Sequence, residues 1–159
     1  MKFTTPSQKR IICSAEVISI GIQHLEGCIN LDLNALGGLW NKDQWEYELS
    51  NYANLCFGII LEGNPIAVTS ACLTAGELNI TALAVDKSFR RNGLGSKLLS
   101  HLLDEAKKSG AKNAILEVKS TNHSAKYLYK SFNFEVVGNR KNYYKDGSDA
   151  LLFKCNLNN

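Results

Sequence analysis

The chain has 159 residues, of which 45% are hydrophobic and 21% charged, and this length and composition are typical of one globular domain. Its formal net charge of +3 is too small to indicate a nucleic-acid-binding face. The amino-terminal segment MKFTTPSQKR lacks the apolar run of a signal peptide, and no stretch approaches the roughly 18 apolar residues of a transmembrane helix. We therefore expect a cytoplasmic protein, a single domain over residues 1–159, with no membrane or direct nucleic-acid partner.

The cysteines do not form a metal or redox motif. No two of them have the spacing of zinc ligands or of a redox-active pair. Most lie among apolar residues, which is typical of small core side chains in a reducing compartment, and they are Cys13, Cys28, Cys56, Cys72 and Cys155. We expect no metal. A cysteine nucleophile paired with His24, His101 or His123 is the alternative, and no local motif supports it.

The first half of the chain predicts one strand, two helices and a hairpin. Residues 10–19 are expected to form the first strand, and residues 22–35 a helix that ends at the glycine pair 37–38. Asn41 is the predicted N-cap of a second helix, KDQWEYELSNY, with Gln44 at its third position. The segment NLCFGIILEGNPIAVTSACL contains two β-rich runs separated by EGNP, which indicates a hairpin.

The second half predicts alternating strands and helices. The β-rich run ELNITALAV precedes a helix over residues 93–109, in which leucine and alanine recur every four residues as far as Gly110. The strand KNAILEVKS, a helix begun by Asn122, and strands near 134–141 and 149–157 follow. Because the helix at residue 93 lies between two strands, we expect a parallel βαβ unit. The predicted fold class is α+β, or mixed α/β, with a largely antiparallel first half.

The stretch FRRNGLGSKLL, residues 89–99, resembles an anion-binding loop. Gly93 and Gly95 allow a tight turn, and the helix that follows begins with unpaired amides. A dinucleotide loop is one interpretation, because Glu117 follows by about twenty residues, but Leu98 replaces the third glycine. The residue order excludes a nucleotide-triphosphate loop. Two interpretations remain: a site for the pyrophosphate of coenzyme A, and a plain strand-to-helix turn with solvated arginines.

Three segments of the carboxy-terminal half resemble the GNAT superfamily of N-acetyltransferases in order and spacing. They are AVDKSFRRNGLGSKLL, LEVKSTNHSAKYLYKSFNF and RKNYYKDGSDALL. Within the superfamily, the chain is similar to the ribosomal-protein-alanine N-acetyltransferases of the RimI type. The resemblance is specific over residues 77–153 and weaker from GGLWNKDQW onward. It implies a GNAT fold, which is a mixed, mostly antiparallel twisted sheet of about six to seven strands flanked by about four helices.

The resemblance implies an acetyl-CoA site. The family pattern of arginine or glutamine followed by two glycines matches Arg90, Gly93 and Gly95, and would bind the pyrophosphate. The preceding strand would pair with the pantetheine arm through its backbone, and Asn122 matches an asparagine that contacts the cofactor. The implied cofactor-binding residues are Leu83, Ala84, Val85, Arg90, Arg91, Asn92, Gly93, Leu94, Gly95, Ser96 and Asn122.

The resemblance also implies the catalytic and acceptor residues. It places Glu117 at the family's general base and Tyr129 at its general acid, although Tyr129 by periodicity alone is a core tyrosine and Glu117 could be a strand-end carboxylate. Tyr143 and Tyr144 would contact the acceptor, with Trp40 across the cleft. An exposed β-turn is the alternative for the two tyrosines.

Two positions depart from the family pattern. Asn133 stands where relatives commonly have glycine, and asparagine tolerates the left-handed backbone that glycine adopts there. The segment GGLW lacks the proline that many relatives have before the tryptophan, so the acceptor-side loop departs from the pattern.

The implied function is direct transfer of the acetyl group of acetyl-CoA to a protein N-terminal α-amine. The implied acceptor is the N-terminal alanine of a small-subunit ribosomal protein. An α-amine has a reference pKa of about 8 and lysine about 10.4, so one carboxylate base suits the α-amine better. A small-molecule amine as acceptor and a non-catalytic acyl-CoA-sensing module are the alternatives.

Overall fold

The computed structural model of the chain describes residues 5–158. Residues 1–4 of the amino-terminal segment and residue 159, which belong to the expected single domain, lie outside this range. The chain forms two compact units. The first contains the residues up to Ala71 together with Ala82–Leu102, and the second contains Cys72–Thr81 together with the residues from Leu103 onward. The assignment of a single domain stays a prediction.

Five α-helices and seven strands lie within residues 5–158, so the helices number one more than expected. The helices are α1 (Pro6–Ser14), α2 (Leu25–Leu36), α3 (Lys42–Ser50), α4 (Leu94–Lys108) and α5 (His123–Ser131). The strands are β1 (Ile18–Ser19), β2 (Asn54–Leu61), β3 (Asn64–Thr74), β4 (Glu77–Val85), β5 (Asn113–Lys119), β6 (Glu135–Arg140) and β7 (Ala150–Asn156). They form one mostly antiparallel sheet in the order β1-β2-β3-β4-β5-β7-β6, which confirms the predicted fold class.

The prediction of a strand over residues 10–19 is wrong. Residues 10–14 of this segment belong to helix α1, and only Ile18–Ser19 form a strand. Thr5 caps α1: its backbone N–H donates to Gln8 Oε1 at 2.9 Å, and its hydroxyl accepts from the Gln8 N–H at 3.3 Å. Pro6 occupies the start of the helix, where a missing N–H costs nothing. The sequence TPSQ is thus a capping box, and this signal would have predicted the helix.

The predicted helices α2 and α3 are confirmed. Helix α2 follows a 3₁₀ turn at Ile22–His24 and ends at Gly37, whose φ of 75° is left-handed. The N–H groups and side-chain oxygens of Asn41 and Gln44 bond reciprocally at 2.9 Å to begin α3. One cluster of buried residues in the first unit consists of Ile20, Leu25, Cys28, Leu31, Trp45, Leu49, Cys56, Val68 and Ala84.

The leucine stripe of α4 is buried, as its spacing predicts. Leu98, Leu99 and Leu102 are 0% exposed, and Leu94 is 2% exposed. Each buried leucine contributes about 1.5 to 3 kcal/mol of hydrophobic free energy relative to exposure. This stripe fixes the start of α4, and therefore the position of the glycine-containing segment before it.

The second unit contains the predicted parallel strand pair. Strand β5 pairs in parallel with β4 from Glu77↔Asn113 to Asn79↔Ile115. On its other edge it pairs with β7 in antiparallel fashion over its full length. Strand β6 completes this side of the sheet with a register shift near Val136. Asn133 has a φ of 62°, which confirms that this asparagine adopts the left-handed conformation expected for it.

Candidate active site

The backbone of residues Arg90–Ser96, here called the 90–96 segment, leads the chain into helix α4. Arg90 has a φ of −63°, whereas Arg91 and Gly93 have left-handed φ values of 63° and 74°. The left-handed residues turn the chain sharply into the first turn of α4. The Lys97 N–H donates to the Gly93 carbonyl at 3.0 Å, so the amides of Leu94–Ser96 precede the helical ladder. The first turn of α4 carries no acidic residue, so an anion meets no repulsion from it.

Two polar side chains of the 90–96 segment, those of Arg90 and Asn92, bind carbonyl groups of the chain itself. Arg90 donates from Nε to the Val85 carbonyl at 3.2 Å and from Nη2 to the Ala35 carbonyl at 3.0 Å. Asn92 Nδ2 donates to the carbonyls of Phe89, at 2.9 Å, and Arg90, at 3.1 Å. These bonds hold the segment in shape and occupy the side-chain donors of Arg90 and Asn92.

Glu117 lies on an interior strand, yet its side chain is 29% exposed. It pairs across the sheet with Leu152, whereas the preceding residue, Leu116, pairs with Phe153. Because successive side chains of a strand point to opposite faces, Glu117 and Phe153 lie on different faces of the sheet. Arg140 Nη1 lies 3.0 Å from Glu117 Oε1. The carboxylate is therefore paired and also reachable by water.

Tyr129 is buried in the second unit, with 7% of its surface exposed. Its ring centre lies 5.6 Å from that of Phe134 and 6.3 Å from that of Phe153. It thus packs on the face of the sheet opposite to Glu117. Burial raises the pKa of Tyr129 to about 12, so its hydroxyl stays protonated at neutral pH. Asn122 caps α5 by accepting from the Ala125 N–H at 3.1 Å.

Tyr143 and Tyr144 form an edge-to-face pair with ring centres 5.2 Å apart. The Arg140 guanidinium lies 5.4 Å from the centre of the Tyr143 ring, and Lys119 Nζ lies 5.6 Å from the centre of the Tyr144 ring. Burial raises the pKa of Tyr144, the charge of Glu117 and Tyr143 raise it further, and Lys119 lowers it. The pair therefore belongs to one electrostatic cluster with Glu117.

Two aspartates shape the β6–β7 loop that carries this pair. Asp149 accepts from the Asn142 N–H at 2.9 Å and from Asn139 Nδ2 at 3.1 Å, and these bonds lower its pKa. Asp146 is ion-paired with Lys119, which lowers the pKa of its carboxyl. The loop is thus a hydrogen-bonded turn, and the role of its tyrosine pair in acceptor binding stays a prediction.

Trp40 is held in the first unit by Asp32, a residue that the sequence analysis missed. Asp32 is 1% exposed and accepts three bonds: from the N–H groups of Leu39 at 2.7 Å and Trp40 at 3.0 Å, and from Trp45 Nε1 at 2.8 Å. The rings of Trp40 and Trp45 pack edge to face, 4.8 Å apart. An acidic residue within the apolar helix before GGLW was the available signal. A cavity of about 400 Å³ is lined by Trp40, Asn41, Asp43, Gln44, Tyr47 and Glu48.

Three cysteines are core residues, as predicted. Cys28, Cys56 and Cys155 are buried, and burial raises the pKa of each thiol, that of Cys28 to about 12. Such thiols are protonated at neutral pH and are poor nucleophiles. Cys13 is exposed and Cys72 is half-buried, so these two do not fit the core interpretation.

The predicted site residues are divided between the two units. Residues 83–85, the 90–96 segment and Trp40 lie in the first unit. The second unit holds Glu117, Asn122, Tyr129, Tyr143 and Tyr144. The structure brings Glu117 and the tyrosine pair together, while the expectation that Trp40 faces this pair across a cleft stays a prediction.

The family model described as "Acetyltransferase (GNAT) family" matches residues 25–134. The chain belongs to this family. Over 101 residues it is 37% identical to the [ribosomal protein bS18]-alanine N-acetyltransferase of Escherichia coli (strain K12), covering 62% of this chain and 68% of that protein. It is therefore a GNAT enzyme, an acetyl-CoA-dependent N-acetyltransferase.

Solved structures of GNAT proteins share the fold. The crystal structure of the ribosomal-protein-S18-alanine N-acetyltransferase from Escherichia coli superposes with a TM-score of 0.83 at 28% identity, covering 89% of this chain and 93% of that one. The crystal structure of aminoglycoside 6'-acetyltransferase type Ii superposes with a TM-score of 0.78 at 14% identity, covering 89% of this chain and 97% of that one. The GNAT fold alone therefore does not determine the acceptor.

Residues 5–158 contain neither a metal-ligating cluster nor a membrane-spanning helix. This part of the chain contains no group of three or more His, Cys, Asp or Glu side chains arranged to hold a metal ion. None of its helices is long and apolar enough to cross a membrane.

Proposed function

We propose that this GNAT enzyme acetylates the N-terminal α-amine of a protein, with the N-terminal alanine of a small-subunit ribosomal protein as its acceptor. The observation that carries the proposal is the Glu117 carboxylate beside the Tyr143–Tyr144 pair, on a GNAT scaffold. The 37% identity to the bS18-alanine N-acetyltransferase supports the choice of acceptor.

The 90–96 segment fits a coenzyme A pyrophosphate. Its left-handed residues and the start of α4 offer several amides to one anion, and a Cβ built on Gly93 meets no atom within 4 Å, so the backbone is open on that side. The backbone of residues 83–85 would hold the pantetheine arm, and Asn122 would contact the cofactor from the start of α5. When bound, acetyl-CoA supplies an acetyl group activated as a thioester.

Glu117 is proposed to take the proton of the acceptor amine, directly or through one water molecule. Only the neutral amine has a lone pair for attack on a carbonyl. At equal pH, making a lysine neutral costs roughly 3 kcal/mol more than making an α-amine neutral. A single, partly hydrated carboxylate such as Glu117 is therefore matched to an α-amine.

Tyr129 is proposed to give a proton to the leaving thiolate. Its hydroxyl is protonated at neutral pH, because burial raises its pKa to about 12. It packs on the face of β5 opposite to Glu117, so the proton acceptor and the proton donor do not share one face of the strand.

A peptide library varied at its first three positions tests the acceptor, alongside free lysine, spermidine and an aminoglycoside. We expect the fastest transfer to peptides that begin with alanine or serine. The preference should be graded, since a methylene-sized change is worth roughly 1 to 3 kcal/mol in a fitted site. Faster transfer to any of the three small amines would overturn the proposal. Tight acetyl-CoA binding with no product from any amine would identify a sensing module instead.

The substitution Glu117→Gln tests the base. It keeps the size of the side chain and removes the proton acceptor, so kcat should fall by about 10²-fold or more at neutral pH. The affinity for acetyl-CoA, measured by calorimetry, should stay the same. A wild-type rate at pH 7 would remove Glu117 from the mechanism.

A further inference from the structure

Arg140 joins the two groups that are proposed to act on the acceptor. It ends β6, and its guanidinium contacts both the Glu117 carboxylate, at 3.0 Å, and the Tyr143 ring, at 5.4 Å from its centre. The Arg140 side chain is 57% exposed, and ion pairs this exposed add little to folding stability. The contact is better explained by its effect on the geometry of Glu117 and Tyr143.

The sheet register explains how Arg140 reaches Glu117 across the strand between them. Glu117 pairs with Leu152 of β7, and Leu152 pairs with Gly138 of β6. Since Gly138 has no side chain, β6 places no side chain opposite Leu152 on the face that carries Glu117. Arg140 lies two residues further along the same face and pairs with Ala150, which is small. A long side chain can therefore extend diagonally over β7.

Lys119, the other cation of the cluster, is paired with groups other than Glu117. Lys119 is ion-paired with Asp146 and lies over the Tyr144 ring. Arg140 is thus the cation that the described residues place on Glu117. A glutamate side chain on a partly exposed face otherwise samples several rotamers, and the planar guanidinium restricts it to those that keep the contact.

We propose that Arg140 is a positioning residue that holds the Glu117 carboxylate in the rotamer used for proton transfer and aligns the Tyr143 ring with that carboxylate. The proposal rests on the function proposed above, in which Glu117 takes the proton of the acceptor amine. Arg140 itself exchanges no proton, because a guanidinium stays charged in proteins. Its effect on kcat acts through Glu117, and its effect on acceptor binding acts through Tyr143.

A double-mutant cycle separates these effects. We would measure kcat and the KM of an alanine-initiated peptide at saturating acetyl-CoA for the wild type, Arg140→Gln, Glu117→Gln and the double variant. Arg140→Gln should lower kcat about 10-fold in the wild-type background and less than about twofold in the Glu117→Gln background. The acceptor KM should rise in both backgrounds. Arg140→Lys should recover part of the lost kcat.

Lys154→Gln is the matched control. It removes an exposed cation from the same sheet, whose Nζ lies 3.9 Å from Glu77 Oε2, and it should leave kcat and KM unchanged. Thermal unfolding midpoints equal to that of the control show that Arg140→Gln folds.

Two results would overturn the positioning role while the base remains: equal losses of kcat from Arg140→Gln in both backgrounds, or no loss in either. An Arg140→Lys variant as slow as Arg140→Gln would also contradict it. An unchanged kcat in Glu117→Gln alone would instead overturn the proposed function.

Discussion

The effect of burial on the pKa of the Tyr129 hydroxyl can be measured separately from the proposed role of this hydroxyl in proton transfer. Burial disfavours the phenolate and raises the pKa of the Tyr129 hydroxyl to about 12, from about 10 in the unfolded chain. Stability from this difference is fully present below pH 10 and is lost as the pH rises toward 12. The difference of about 2 between the folded and unfolded pKa of Tyr129 corresponds to about 3 kcal/mol of stability.

Tyr129→Phe should therefore remove this loss. We expect the free energy of unfolding of the wild type to fall more between pH 9 and pH 11.5 than that of Tyr129→Phe, as measured by urea titration. The same variant should lower kcat by about 10²-fold at neutral pH. Tyr127→Phe, at an exposed position on the same helix, is the control for both measurements. A parallel pH dependence in wild type and Tyr129→Phe would contradict the burial of the hydroxyl.

The pairing of Glu117 with Arg140 shows which part of the site the sequence could not reveal. The motif around each residue was visible, and the family resemblance assigned Glu117 its role. Their contact depends on the order β5-β7-β6 and on a register shift in β6, which no local pattern encodes. The capping signals of Thr5 and Asn41, by contrast, are local, and the helices they begin were predictable from four residues each.

Gly93, in the turn into α4, should affect both the stability of the chain and its affinity for acetyl-CoA. Gly93 has a φ of 74°, so an alanine there costs about 1 kcal/mol of stability. Gly63, in the β2–β3 turn, has a φ of 79° and equally open surroundings, which makes Gly63→Ala a matched control. Both variants should lose similar stability, but only Gly93→Val and, less strongly, Gly93→Ala should lose acetyl-CoA affinity by calorimetry. Wild-type affinity in Gly93→Val would place the pyrophosphate elsewhere.

The α2–α3 connection depends on one buried carboxylate. Asp32 accepts three N–H bonds, and Asp32→Asn would turn an amide group toward at least one of these donors, which costs about 2 to 3 kcal/mol. Both tryptophans of the chain contact this carboxylate, so their fluorescence should shift to longer wavelength as Trp40 becomes more exposed. Asp43→Asn, exposed in the first turn of α3, should change stability by less than about 1 kcal/mol and leave the fluorescence unchanged. Equal effects of the two substitutions would contradict the role of Asp32.

The boundaries of the two units lie inside regular secondary-structure elements. The breaks at residues 71–72, 81–82 and 102–103 fall within β3, β4 and α4. No composition change or linker marks such boundaries, which is why the sequence predicted one domain. A strand or helix interior is also a poor place for independent unfolding, because hydrogen bonds cross the boundary along the backbone.

We therefore expect one cooperative unfolding transition. Both tryptophans lie in the first unit, so fluorescence reports on that unit, while far-ultraviolet circular dichroism reports on all the helices and strands. The two signals should give the same midpoint and the same slope in urea. Midpoints that differ beyond error would show that the units unfold separately, and the single-domain prediction would be wrong.

The hydrogen-bond donors proposed to bind the pyrophosphate in the 90–96 segment are backbone N–H groups. The side chains of Arg90 and Asn92 donate to carbonyl groups of the chain instead. Among ordinary substitutions only proline deletes such a donor, and it also replaces the side chain and fixes φ. An amide-to-ester exchange removes the donor alone: an α-hydroxy acid incorporated at residue 94 or 96 replaces a single N–H by oxygen and keeps the side chain. Natural substitutions at residues 94 and 96, other than to proline, that preserve the turn and the helix therefore keep the proposed anion-binding N–H groups, because these groups belong to the backbone.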